Sequence, residues 1–340
     1  PTGGISTGGL NTGGAPTGGV STGGLSTGGL NTGGVSTGGL STGGLNTGGA
    51  PTGGVSTGGT DTGGAPSGGV STGGTPGTTP STGCGKTPTL SSGEHDLGGR
   101  RYIIRIPDDY DPNQPYKLVF GMHWMGGHME DVDTGQTVSR NVWSYYGLQQ
   151  LDTEHTSIFV APEGNACGTW CRDDMSFVDD MVELFEQELC IDTGRIFSVG
   201  FSYGAIFTYS LACDRPNIFR AVATLAAAPN IRFQDGSQPV AYLGITGMSD
   251  PLCTPTMGRG CRDTFVEANG CEVPASVPEW TSGQNHVCYS YEGCDDGYPV
   301  RWCTGNFTHK AAPCDTCCPD CDDGATTWAP REVWDFFSQF

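Results

Sequence analysis

RIFSVGFSYGAIFTYSLAC, residues 195–213, is the stretch whose reading decides the fold. Residues 195–200 form a short apolar run suited to a buried strand, and residues 203–213 have the composition of a buried helix. Between them stands Gly200-Phe201-Ser202-Tyr203-Gly204. A strand passing straight into a helix through Gly-x-Ser-x-Gly makes a sharp turn that presents its serine as a nucleophile. The glycines are steric requirements: at a turn this tight, side chains at 200 and 204 would collide with neighbouring backbone. A glycine-rich chain raises the chance of an accidental match, but this copy lies between a strand and a helix and outside the repeats described below.

Outward from this turn the chain alternates short apolar runs with helical patterns. Strands are expected at RRYIIRIP (100–107, on an edge), KLVFGMHW (117–124), TSIFVAPEG (156–164), AVATLAA (221–227), VAYLGITG (240–247) and PVRWCTG (299–305). In SFVDDMVELFEQEL (176–189), Val178, Val182, Phe185 and Leu189 recur at helical spacing, with acids on the opposite face. PREVWDFFSQF (330–340) opens with Pro, as a closing helix often does. The pattern implies an α/β class domain with a mostly parallel sheet and helices on both faces. With the serine turn, it points to the α/β-hydrolase fold.

A nucleophilic serine needs a base, and the base an orienting acid. In this fold they follow in the order Ser, acid, His. Asp250, just beyond the strand ending in GITGMSD, is the expected acid; Asp235 precedes that strand and Asp263 lies well beyond it. Two histidines follow. His309, in GNFTHKAAP before the closing helix, is the expected base, and His286 the alternative. His95, His123, His128 and His155 precede the serine and are in the wrong order. HWMGG (123–127) follows an early strand, and its small residues let backbone N–H groups face an oxyanion. The expected donors are the N–H groups of Trp124 and Tyr203, with His123 orienting the loop; a plain glycine-rich turn is the alternative. Trp124, Trp170 and Tyr203 sit beside the expected site loops and are candidate walls for a substrate ring, or ordinary packing. Asn306-Phe307-Thr308 is an N-glycosylation sequon.

Residues 1–83 are a five-residue repeat (STGGL, NTGGA, PTGGV, STGGT) without an aromatic residue. They cannot bury enough apolar surface to offset their chain entropy and read as a disordered linker whose Ser and Thr suit O-glycosylation; residues 84–340 form the catalytic domain. A tether of this kind joins two modules, and a carbohydrate-binding module is the expected second one. Lys and Arg number 16 against 36 Asp and Glu, a formal charge of −20, which disfavours nucleic acid and anionic membranes as partners. Fifteen cysteines imply disulfides and an oxidising, extracellular setting, and the odd count leaves at least one thiol free or paired between chains. The spacing in CDTCCPDCDDG (314–324) could hold a metal, but crosslinks are the expected use, and neither metal nor cofactor is expected.

GCGKTPTLSSG, YKLVFGMHWMGG, RIFSVGFSYGA, YLGITGMSD, GYPVRWC and WAPREVWDFFSQF together resemble fungal type-B feruloyl esterases. These belong to a carbohydrate-esterase family that also holds acetylxylan esterases and is similar to polyhydroxybutyrate depolymerases. The resemblance covers 84–340. It implies hydrolysis of feruloyl and p-coumaroyl esters on plant cell-wall arabinoxylan, with the family's Ser, Asp and His falling on Ser202, Asp250 and His309. The Cys- and Asp-rich segment 314–324 departs from the family's pattern. Acetylxylan or polyester hydrolysis, and a non-catalytic wall-binding role, are the competing expectations.

Overall fold

The computed structural model describes residues 77–135, 143–164, 169–229, 236–315 and 326–340. The expected linker, up to residue 76, and most of the Cys-rich segment, 316–325, lie outside the described residues, as does Asp235.

The elements run β1 (Gly93–Leu97), β2 (Arg100–Arg105), β3 (Tyr116–Met122), α1 (Met129–Thr134), α2 (Leu148–Leu151), β4 (Ser157–Pro162), α3 (Asp173–Glu188), β5 (Ile191–Phe201), α4 (Tyr203–Asp214), β6 (Ala221–Leu225), β7 (Ala241–Gly247), α5 (Pro255–Ala268), β8 (Val287–Ser290), β9 (Val300–Gly305) and α6 (Ala329–Phe337). A 3₁₀ turn at Ser144–Gly147 precedes α2. The nine strands form one sheet in the order β1-β2-β4-β3-β5-β6-β7-β9-β8. From β4 through β9 every neighbouring pair is parallel, and the antiparallel pairs β1–β2, β2–β4 and β8–β9 close the two sides. The segment expected to be an edge strand is therefore interior, because β1 pairs along it.

Alternate residues of the central strands feed two separate cores. Leu118, Phe120 and Met122 of β3 pack with α3, α4 and α5, while Val119 points to the face covered by α1 and α6. On β5, Phe197, Val199 and Phe201 join that second core, and Ser198 on the other face bonds Thr208 of α4 at 2.9 Å. Burial on both faces explains why these strands read as continuous apolar runs.

Ordered contact with the domain begins before residue 84. Ser81 N donates to Ile191 O at 2.8 Å, Ser81 Oγ to Leu189 O at 2.6 Å, and Gly83 N to Glu186 O at 2.7 Å. Next to these contacts Cys84 is bonded to Cys190, immediately before β5. Cys271–Cys294 and Cys288–Cys303 are also disulfides, and Cys314 is disulfide-bonded as well.

Candidate active site

β5 ends at Phe201 and α4 begins at Tyr203, leaving Ser202 alone at the turn, with φ 56° and ψ −121°. That region costs a non-glycine residue roughly 1–3 kcal/mol, so the surroundings must hold it. They do: Ser202 N donates to Leu225 O, extending the β5–β6 ladder, and Ser202 O accepts from Ile206 N in α4, both at 2.9 Å. A Cβ at Gly200 would lie 2.4 Å from the Gly204 carbonyl carbon, and one at Gly204 would lie 2.1 Å from Met122 O. The glycines thus let strand, helix and the end of β3 meet.

Asp250 and His309 stand on the loops that follow β7 and β9. Past the ends of β7 and β9 the two loops remain bonded, Met248 N to Gly305 O at 3.0 Å and Ser249 N to Phe307 O at 3.2 Å. Gly247 permits this, since its Cβ would sit 2.2 Å from Phe307 O. Asp250 and His309 are thereby brought together. His309 Nδ1 lies 2.8 Å from Asp250 Oδ2, and His309 Nε2 lies 2.7 Å from Ser202 Oγ. A carboxylate accepts, so Nδ1 carries the hydrogen and Nε2 presents its lone pair to the serine hydroxyl. Asp250 is buried, and its Oδ1 accepts from Leu252 N at 2.8 Å and Cys253 N at 3.0 Å. Phe201 packs against the His309 ring, centroids 4.7 Å apart. Burial, then the charge of Asp250, push the neighbouring Cys253 thiol up to about 12, so it stays protonated near neutral pH.

The HWMGG loop crosses the start of α4. His123 is buried; its Nε2 accepts from Gly164 N at 2.9 Å, which leaves Nδ1–H to donate to Trp124 O at 2.9 Å. Burial lowers its pKa, keeping it a neutral brace for the loop. The N–H groups of Trp124 and Tyr203 find no acceptor among the described residues.

The other expected residues fall into different places. Trp124 and Tyr203 are partly exposed beside Ser202. Trp170 is a correction: at 1% exposure it is packed behind the loop, stacked on Phe207 with Nε1 bonded to His123 O at 2.7 Å, and offers no face to a substrate ring. His286 is turned to Asp315 and Glu332, and Asp263 to Arg262; neither joins Ser202. Asn306 is exposed while Phe307 is 3% exposed. Two exposed apolar side chains stand on the loops of the site, Met125 at 58% after β3 and Leu252 at 65% after Asp250. Single apolar residues in loops carry no sequence signal; their position beside the site supplies it.

This sheet, turn and loop arrangement is the α/β-hydrolase fold. No family model matches the chain. It is 40% identical over 270 residues to feruloyl esterase D of Neurospora crassa, covering 77% of this chain and 91% of that protein. It is 38% identical over 261 residues to a probable feruloyl esterase C of Aspergillus niger, covering 76% of this chain and 90% of that protein. An acetyl xylan esterase from Aspergillus awamori matches in fold with a TM-score of 0.50 at 13% identity, over 71% of this chain and 94% of that one. The chain belongs to the feruloyl esterase family and is a carboxylic ester hydrolase.

Proposed function

We propose that this protein hydrolyses feruloyl and p-coumaroyl esters on plant cell-wall arabinoxylan, with Ser202 as nucleophile, His309 as base and Asp250 as its orienting acid. The observation that carries the reading is the unbroken hydrogen-bonded line Asp250–His309–Ser202 at the strand ends, in a chain 40% identical to a feruloyl esterase. Ser202 Oγ attacks the ester carbonyl carbon as its proton passes to His309 Nε2. The carbonyl oxygen becomes an oxyanion facing the Trp124 and Tyr203 N–H groups. Collapse expels the sugar alcohol, which takes the proton from His309, and leaves a feruloyl-serine. Water, deprotonated by His309, then releases ferulate and restores the serine. Trp124 and Tyr203, partly exposed, supply the aromatic edge of the acyl cleft.

Secretion is part of this reading, supported by the disulfides; among the described residues no helix is long and apolar enough to cross a membrane. So is a carbohydrate-binding module joined through the repeat segment. Exposed Asn306 is the proposed glycan site, and peptide mass spectrometry of protein from a eukaryotic secretory host should find it occupied; a bare Asn306 removes that claim. The decisive assay compares methyl ferulate with 4-nitrophenyl acetate. Wild type should prefer the ferulate, and Ser202→Ala should lose on the order of 10⁶ in turnover on both. Preference for acetate would move the substrate to acetylated xylan, and a variant within tenfold of wild type would remove Ser202 as nucleophile.

A further inference from the structure

Three consecutive peptide carbonyls leaving β3 are each capped by a buried side-chain donor. Tyr146 Oη donates to Met122 O at 2.5 Å, Trp170 Nε1 to His123 O at 2.7 Å, and His123 Nδ1 to Trp124 O at 2.9 Å. Trp124 O also accepts from Gly127 N at 3.0 Å. Loops do not ordinarily spend three buried donors on three adjacent carbonyls, and Tyr146 does so from a strained backbone, φ 58° and ψ 30°.

The middle bond matters most. The His123 carbonyl and the Trp124 N–H belong to one peptide unit, and no peptide in the described residues is cis. In a planar trans unit the C=O and N–H point in opposite directions, so fixing one aims the other. Trp170 grips the carbonyl from the buried side, and the Trp124 N–H must therefore point away from the core. The indole is itself immobilised, stacked on Phe207 at 4.6 Å and 8° and against the His123 ring at 4.6 Å. Phe207 lies on α4, whose first residue, Tyr203, bears the second donor N–H. One side chain thus ties the peptide of the first donor to the helix of the second.

We propose that Trp170 is a positioning residue, aiming the Trp124 N–H at the oxyanion and holding it in register with the Tyr203 N–H. This rests on the oxyanion reading of those two groups given above. Donation to the His123 carbonyl also polarises the peptide, strengthening its N–H as a donor. Such a residue acts on the transition state and not on ground-state binding, which sets its kinetic signature.

The test is Trp170→Phe, which keeps an aromatic ring and removes the donor. Its kcat on methyl ferulate and on 4-nitrophenyl acetate should fall by about 10- to 100-fold, below the roughly 10²–10³-fold cost of deleting an oxyanion donor outright. KM should stay within about twofold, and affinity for phenylboronic acid, which forms a tetrahedral adduct with a serine, should fall in step with kcat/KM. Should the variant melt early, β-(3-benzothienyl)alanine at 170 replaces the N–H by sulfur at constant shape, and the same losses are expected. Unchanged kcat, a change in KM alone, or a loss of kcat that spares boronate affinity would each overturn the inference. A wild-type enzyme inactive on both esters would instead overturn the esterase reading of Ser202, independently of Trp170.

Discussion

Gly204 stands where no side chain fits. An added Cβ would meet Met122 O at 2.1 Å and His123 O at 2.6 Å. Neither oxygen can give way, because Tyr146 and Trp170 already hold them. Gly204→Ala should therefore cost about 1–3 kcal/mol by overpacking and displace the HWMGG loop, with hydrolysis lost beyond what the stability change explains. Gly260 is the control: it lies exposed in α5 with nothing within 4 Å of its would-be Cβ. There Ala should stabilise by about 0.5–1 kcal/mol through helix propensity alone. Thermal melts and 4-nitrophenyl acetate turnover of the two variants check the contrast; equal behaviour would contradict it.

His286 shows what an element-level prop does. Its ring stacks on Trp328 at 4.0 Å and 9°, its Nδ1 is 2.8 Å from Asp315 Oδ2, and its Nε2 is 3.8 Å from Glu332 of α6, which also pairs with Arg301 of β9. Trp328 in turn packs edge-on against Phe307, on the loop carrying His309. Burial lowers the His286 pKa, but Glu332 and Asp315 outweigh it and raise the group above its ordinary value. A folded pKa above the unfolded one, ~6.5, means that this stabilisation is complete below pH ~6.5 and disappears as pH rises through the folded pKa. The melting temperature of wild type should exceed that of His286→Gln by more at pH 5 than at pH 8, and a reversed difference would refute the protonated prop.

What the sequence discloses at this scale depends on what forms each element. The buried parallel strands announce themselves as apolar runs, and the serine turn as two obligatory glycines. β1 does not, because GEHDL is polar and is a strand only by pairing with β2. α5 is masked by Pro255, Gly258 and Gly260, and is held by packing of Cys261, Phe265 and Val266. Trp170 misleads for a different reason: proximity along the chain to a site loop does not say on which side of that loop an indole lies. Serine, aspartate and histidine could be read as candidates because their chemistry and order are constrained, whereas the braces behind them are single bonds between distant residues.

At the scale of the whole chain, every group of the proposed site belongs to the described residues after 76. Deleting 1–76 should leave turnover of methyl ferulate within about twofold and the melting temperature unchanged. Extending the deletion to 83 should lower the melting temperature by several degrees. It removes Thr79, Ser81 and Gly83, whose bonds to Thr193, Ile191, Leu189 and Glu186 are each worth roughly 1 kcal/mol. Differential scanning calorimetry of the two truncations measures this, and identical melting curves would show that residues 77–83 add nothing.

The Cys84–Cys190 bond also determines how the domain would bear tension. A pull applied to the N-terminal segment first loads the bonds of residues 79–83; once these give, it reaches Cys84 and crosses the disulfide to Cys190, the residue before β5. Residues 85–189, which include β1, β2, β3 and β4, hang in a covalent loop off that load path and would not be peeled from the sheet edge. The force would arrive at the foot of the central strand, with parallel neighbours on both sides to share the shear, while Ser202 sits at its opposite end. Reduction of that one disulfide would reroute the load through β1 and β2, turning a chain anchored at its middle into one that unzips from its rim.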